Sequence, residues 1–150
     1  MRAPGPGRGF TLVELLVVVL IAGLVLAVTP PLLTAALPGM QARASAQQLA
    51  AGLRMARVQA MAGGGEAVLL IDLARHSFRV GGRPEVRLAQ GVDLSLDTAR
   101  TETDGERFGG IRFFGDGSST GGRITLRAGP HAWRVDVDWL TGRVRLDEAV

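Results

Sequence analysis

The chain begins with its least polar stretch. Between residues 12 and 28 the only charged side chain is Glu14, and 15–28 carries none. A helix over 10–28 is about 28 Å long at ~1.5 Å per residue, close to the ~30 Å hydrocarbon core of a bilayer. A helix in a small soluble domain is rarely apolar all round for so long, and the pattern predicts a membrane span over 10–29. Pro30-Pro31 follows, then Pro38-Gly39. Proline inside a helix removes a hydrogen bond and crowds the preceding turn. The helix is therefore expected either to bend here or to end at Thr29. From 40 to 62 the period is again helical. Ala42, Ala46, Leu49, Leu53, Ala56 and Ala60 recur at intervals of four and three, while Arg43, Gln47, Arg54 and Arg57 fall mostly elsewhere. The stripe is short and made of small residues, which suits a face covered by a sheet better than a coiled-coil seam. Gly63-Gly64-Gly65 ends it.

After the triple glycine the period drops to two. Val68-Leu69-Leu70-Ile71, Ser77-Phe78-Arg79-Val80, Val92-Asp93-Leu94-Ser95-Leu96 and Ile111-Arg112-Phe113-Phe114 read as strands. So do Ile124 and Leu126 between Arg123, Thr125 and Arg127, and Arg143-Val144-Arg145-Leu146 after a tight turn at Thr141-Gly142. Trp133, Val135, Val137 and Trp139 are expected on one face, opposite Arg134, Asp136 and Asp138. Gly81-Gly82, Asp104-Gly105, Asp116-Gly117 and Gly129-Pro130 mark turns. Residues 98–110 are polar and are expected to form a mobile loop. The whole predicts an α+β chain: a long N-terminal helix with transmembrane (10–29) and stem (30–62) parts, then a head over 63–150 of antiparallel sheets, with about seven short strands packed on the stem.

Composition acts mainly by exclusion. Hydrophobic residues make up 47% and charged residues 21%, so the chain as a whole is not disordered. Cysteine is absent, which removes disulfides, thiolate zinc sites and cysteine nucleophiles. All 17 basic residues are arginine, which removes lysine Schiff bases and the P-loop lysine. The formal charge is only +3, and the high isoelectric point reflects the pKa of arginine. Arg2 and Arg8 precede the apolar stretch with no acid beside them, which places the N-terminus in the cytoplasm and the head across the membrane. A cleaved signal peptide fits less well, because Ala27-Val28-Thr29-Pro30-Pro31 is a poor small-residue cleavage site.

The N-terminus, Arg8-Gly9-Phe10-Thr11-Leu12-Val13-Glu14-Leu15-Leu16-Val17-Val18, resembles that of the type IV pilin and pseudopilin family. The likeness lies in a short basic leader ending in Gly9, then Phe10, then Glu14 at the head of an apolar helix. It implies that residues 1–9 are a leader, that a prepilin peptidase cuts between Gly9 and Phe10, and that the new Phe10 amine is methylated. Losing Arg2 and Arg8 lowers the formal charge from +3 to +1. A carboxylate inside an apolar span costs a few kcal/mol unless it lies near an end or is paired. Glu14 can form an ion pair with the Phe10 amine of a neighbouring subunit and set the register of a helical filament. It can also close a local capping box, Thr11-x-x-Glu14, and favour the helix dipole. The leader favours the first reading.

The head carries a second likeness. Gly110-Ile111-Arg112-Phe113-Phe114-Gly115-Asp116-Gly117-Ser118-Ser119-Thr120-Gly121-Gly122 is similar to a segment of GspH-type minor pseudopilins. So is Trp133-Arg134-Val135-Asp136-Val137-Asp138 with Thr141-Gly142-Arg143-Val144. The resemblance implies a single-pass protein of the bacterial inner membrane with its head in the periplasm, at or near the tip of the type II secretion pseudopilus. Its partners would be other pseudopilins, the prepilin peptidase, and secreted cargo or the outer-membrane secretin. The alternative is a minor pilin of a type IV pilus, engaged in pilus biogenesis or DNA uptake. There Arg143 and Arg145 would contact phosphates, although Asp136, Asp138, Asp147 and Glu148 are close enough in sequence to neutralise them.

No catalytic or metal site is expected, and no cofactor. Gly117-Ser118-Ser119-Thr120-Gly121 fits G-x-S-x-G, but that elbow needs a helix after it and a strand-like segment follows. Asp116 with its neighbouring hydroxyls offers one carboxylate, too few for calcium. His76 and His131 lack metal-ligand spacing.

Overall fold

A computed structural model describes residues 10–98, 103–104 and 107–149, with side chains described at all of these except 28–37 and 103–104. The leader, including Gly9, lies outside the described residues. The chain divides into two units, Met1–Ala36 and Leu37–Val150. Helix α1, Leu12–Gly63, is one element that includes both proline sites.

In the first unit Thr11 starts the helix. Its Oγ1 accepts from the Glu14 N–H at 3.2 Å, and its carbonyl accepts from the Leu15 N–H at 3.1 Å. The first satisfies one of the backbone N–H groups that a helix start leaves open, and the second is the first bond of the helix itself. Residues Leu12 to Leu26 are all exposed, and apart from Glu14 and Gly23 their side chains are apolar. Among the described residues no helix is long and apolar enough to cross a membrane. The described apolar side chains stop at Ala27, about 24 Å from the helix start at ~1.5 Å per residue. The rest of the expected span, Val28 and Thr29, lies outside them.

In the second unit two antiparallel sheets close over α1. One holds β1 (Ala67–Asp72), β2 (Ser77–Val80), β3 (Val86–Arg87), β5 (Thr103–Asp104) and β6 (Phe108–Phe113), in the order β3-β2-β1-β6-β5. The other holds β4 (Asp93–Thr98), β7 (Gly122–Ala128), β8 (His131–Val137) and β9 (Val144–Ala149), in the order β4-β7-β8-β9. All six residues of the helical stripe are buried, along with Ala50. They meet Leu69, Ile71, Phe78, Ile111 and Phe113 of the first sheet and Ile124, Leu126 and Val135 of the second in one core. Inward residues alternate along β4, β7 and most of β1, as a sheet with one covered face requires. The Thr98 hydroxyl joins the sheets, lying 3.0 Å from the Gly110 carbonyl and 3.2 Å from that of Gly121.

Three sequence expectations are corrected. The described residues form nine strands rather than about seven, because β3 and β5 are two-residue edges with no period to read. Residues 108–110, expected within a loop, are paired strand: Phe108, Gly109 and Gly110 lie opposite Asp72, Ile71 and Leu70. Two adjacent glycines hide the strand in the sequence, and the pairing with β1 imposes it. Residues 99–102, 105 and 106 lie outside the described set. Trp139 does not share the buried face of Val135 and Val137. It is 66% exposed, because β8 ends at Val137 and Asp138 opens a turn.

Candidate functional site

The first candidate site is the helix start. Thr11 occupies the capping position, so Phe10 stands just outside the helix and Glu14 ends its first turn. Only the Thr11 half of the capping box forms. Among the described residues no bond runs back from the Glu14 carboxylate to the Thr11 N–H. The carboxylate therefore stands about 6 Å along the axis from Phe10, on a helix whose neighbouring side chains are apolar. In a low-dielectric setting such a group demands a cation. The arrangement fits the amine that cleavage after Gly9 would create on another copy of this helix motif.

The second candidate is the outer face of the second sheet, which carries Arg145, with Arg143 in the adjoining hairpin turn. Pairing aligns Asp97, Arg123, Asp136 and Arg145 in one row across β4, β7, β8 and β9. The next row is Ser95, Thr125, Arg134 and Asp147. Asp136 sits between two guanidinium groups, 2.6 Å from Arg123 Nε and 3.1 Å from Arg134 Nε. The hydrogen bond that Arg123 donates to Asp136 raises the Arg123 pKa, with a smaller contribution from Asp97. Opposite charges facing each other across strands stabilise a sheet. They also give this face alternating signs, where DNA contact needs a basic stripe. Arg143 lies in the hairpin turn, its carbonyl bonded to the Asp138 N–H at 3.0 Å.

Asp116, Ser119 and Asp138 are held in turns. Asp116 Oδ1 accepts from the Ser118 hydroxyl at 2.6 Å and the Ser118 N–H at 2.9 Å, which lowers its pKa. Asp138 is lowered first by the Thr141 N–H and then by the Thr141 hydroxyl, each 2.8 Å away. Ser119 is buried, and its Oγ accepts from the Gly121 N–H at 3.0 Å. Its own N–H bonds the Trp139 carbonyl beyond the end of β8, whereas His131 begins that strand, roughly 20 Å away at ~3.3 Å per residue. Serine and histidine are not brought together.

Two polar links escaped the sequence reading. Arg57 on α1 donates from Nε to the Gly117 carbonyl at 3.2 Å and ties the helix to the loop after β6. Asp72 at the end of β1 accepts from Arg107 Nη2 at 3.0 Å and from the Arg75 N–H at 2.9 Å. Arg107 lies 35 positions away in sequence, beyond the reach of local pattern; the Asp72-to-Arg75 spacing was the one available sign. Arg107 is the main reason the Asp72 pKa is lowered. A depressed carboxylate contributes stability above its unfolded pKa, ~3.9, and loses that contribution as pH falls through the folded value. The Leu73 N–H, bonded to the Arg107 carbonyl at 2.9 Å, reports on this link. Its protection from hydrogen exchange is expected to drop below pH ~4. In Asp72→Asn it should be lower at neutral pH and change little with acid.

A helix with a capped, acid-bearing start and a head of two antiparallel sheets on its second half is the α+β architecture of pilin-like subunits. Residues 45–142 match the family model described as type II transport protein GspH, and residues 7–29 match the prokaryotic N-terminal methylation motif. The chain belongs to the GspH family, the minor pseudopilins of type II secretion, which are structural subunits that assemble with other pseudopilins. It is 37% identical over 138 residues to the type II secretion system protein H of Xanthomonas campestris pv. campestris, covering 92% of this chain and 82% of that one. Its fold resembles the minor pseudopilin EpsH of Vibrio cholerae, with a TM-score of 0.58 at 17% identity, over 72% of this chain and 97% of the other. It also resembles the type IV minor pilin FimU of Pseudomonas aeruginosa, with a TM-score of 0.54 at 13% identity, over 70% and 87%. The methylation motif and the family imply that the N-terminal helix anchors the chain in a membrane.

Proposed function

We propose that this chain is a non-catalytic minor subunit at or near the tip of the type II secretion pseudopilus, where it supports protein secretion across the outer membrane. A prepilin peptidase removes residues 1–9, cutting between Gly9 and Phe10, and the Phe10 amine is methylated. Residues 10–29 lie in the inner membrane, 30–62 form the stem, and 63–150 form a periplasmic head that starts or caps assembly and faces the secretin or the cargo. The observation that carries this reading is Glu14, placed one turn after Phe10 on an apolar helix, with no bond among the described residues from its carboxylate to the Thr11 N–H. Mass spectrometry of the protein from its native host tests it. The expected species starts at N-methylated Phe10. A chain intact from Met1, or trimmed near Ala27 and released from the membrane, overturns the reading.

A second reading, DNA capture by a type IV minor pilin, draws on the exposure of Arg143 and Arg145. The alternating charges around them weigh against it. The full chain in detergent is expected to bind no duplex DNA at about 50 mM salt, where phosphate contacts are strong. Salt-dependent binding abolished by Arg143→Ala with Arg145→Ala would establish the second reading instead.

A further inference from the structure

An open cleft of about 670 Å³ lies on the outer side of the second sheet, by the turn from β8 to β9. That volume falls within the ~300–1,000 Å³ of small-ligand sites. Gly121 and Gly122 line it without side chains, and Trp139 lines it with a ring that the core does not use. Trp139 is anchored at its backbone, where its carbonyl accepts the Ser119 N–H at 2.8 Å. Its Cβ sits so near Gly121 that a Cβ added there would come within 3.0 Å of it. The residue is nevertheless 66% exposed. A large aromatic side chain held at its base and left bare offers a flat apolar face to a ligand.

The charged groups of the lining define that ligand further. They are Asp97, Asp136 and Asp138 against Arg123, Arg143 and Arg145, with no net charge. A polyanion or polycation gains little from such a balance. Much of the bonding capacity is unspent: no side-chain hydrogen bond joins Asp97, Arg143 or Arg145 to another described residue, and Asp138 uses only Oδ1 on Thr141. Carboxylates only accept and guanidinium groups only donate, whereas a hydroxyl does both. Hydrogen bonds with one charged partner are also stronger than neutral ones. An extended peptide draws its affinity from a strand edge, but this cleft lies over a sheet face.

Position adds to the argument. His131 packs on Gly39, near the point where the chain enters this unit, whereas Gly142, beside the cleft, packs on Arg57. Positions 39 and 57 are roughly 27 Å apart along α1 at ~1.5 Å per residue. The cleft thus opens at the far end of the head, where a long polymer has access.

We propose that this cleft binds a neutral oligosaccharide. One hexose lays its C–H face on the Trp139 indole, whose π face is negative, and its hydroxyls bond the aspartates and arginines around it. The site is independent of Glu14 and of the secretion reading.

The test uses the full chain in phosphatidylcholine nanodiscs, with empty discs subtracted. The probes are fluorescently labelled chitotetraose, an acetamido sugar of the cell-wall type, and cellotetraose, a plain hexose polymer. Anisotropy is expected to show saturable binding at millimolar protein or tighter, with Kd changing less than twofold between about 50 and 500 mM salt, since a neutral ligand releases no counterions. Trp139→Ala should weaken it about tenfold or more, as loss of an aromatic anchor does. Trp139→Phe should keep part of the affinity, and Arg143→Ala with Arg145→Ala should lose severalfold. Leu140→Ala, an exposed neighbour outside the lining, should bind normally, with circular dichroism confirming that each variant folds. Preference for chitotetraose assigns the site to cell-wall glycan and preference for cellotetraose to a plain polysaccharide; either supports it. No saturable binding of either sugar, unaltered binding to Trp139→Ala, or tighter binding of duplex DNA or of an alternating Asp-Arg peptide overturns the proposal.

Discussion

Replacing Glu14 with alanine is expected to leave cleavage after Gly9 normal and to cut protein secretion at least tenfold. Thr11 caps the helix through its own hydroxyl, accepting the backbone N–H of residue 14, which alanine retains. The helix start is therefore preserved, and the proposed cleavage bond, Gly9-Phe10, is unaltered. What would be lost, on the proposed assembly, is the anion that pairs with a neighbour's terminal amine. In water such a pair contributes ~1 kcal/mol or less. In a medium of low dielectric an unpaired amine is costly, and breaking a buried pair typically costs about 3–5 kcal/mol. Glu14→Gln should fail like alanine, since it keeps the shape and drops the charge, while Glu14→Asp should retain partial function. Processed-subunit mass, pseudopilus cross-linking and secreted-enzyme assays separate these steps. Undiminished secretion by Glu14→Ala would remove the ion pair from the account.

The second large effect is expected at Gly142, in the turn between β8 and β9. Its φ is +59°, where a side chain is strained. A Cβ there would also overlap the Gly117 carbonyl oxygen and lie 2.9 Å from Arg57 Nε. The same oxygen accepts the Arg57 bond, so a new methyl group strikes the link between helix and head. Strain and overpacking together suggest a loss of about 3 kcal/mol for Gly142→Ala, read as a fall in melting temperature of roughly 10 °C. Gly129→Ala is the control: its φ is also positive, at +57°, but nothing lies within 4 Å of the added atom. It should lose only the smaller conformational part. Similar losses at both positions would show that contact with Gly117 and Arg57 contributes nothing.

What could be read from the sequence follows from the range of each interaction. The stem stripe was legible because helical periodicity survives any partner, and every alanine and leucine assigned to it is buried. Ser45 was not legible. It is buried beside the stripe, and its hydroxyl accepts from the Ala89 N–H at 3.1 Å, a partner 44 positions away. The longer strands announced themselves by alternation, whereas β3 and β5 are too short to alternate. Trp139 looked like the next inward residue of β8 because alternation carries no sign of where a strand stops; the Asp138 turn decides that. At the site, Phe10 and Glu14 are close in sequence, so their spacing was visible. The relation of Arg123, Asp136 and Arg145 depends on the register of three strands, and Gly52 lies against the Phe78 ring only through the packing of helix on sheet, neither of which a linear pattern encodes.

The alternating row on the outer sheet has a consequence at a distance. Its positive and negative groups lie one strand spacing apart, about 5 Å, which is less than the screening length of ~8 Å at physiological ionic strength. Their potentials cancel within a few ångströms of the surface, so that side of the head exerts almost no far field on passing polyanions or anionic lipid. Up close it remains finely patterned, and a surface brought into contact must match it charge by charge or pay to desolvate it.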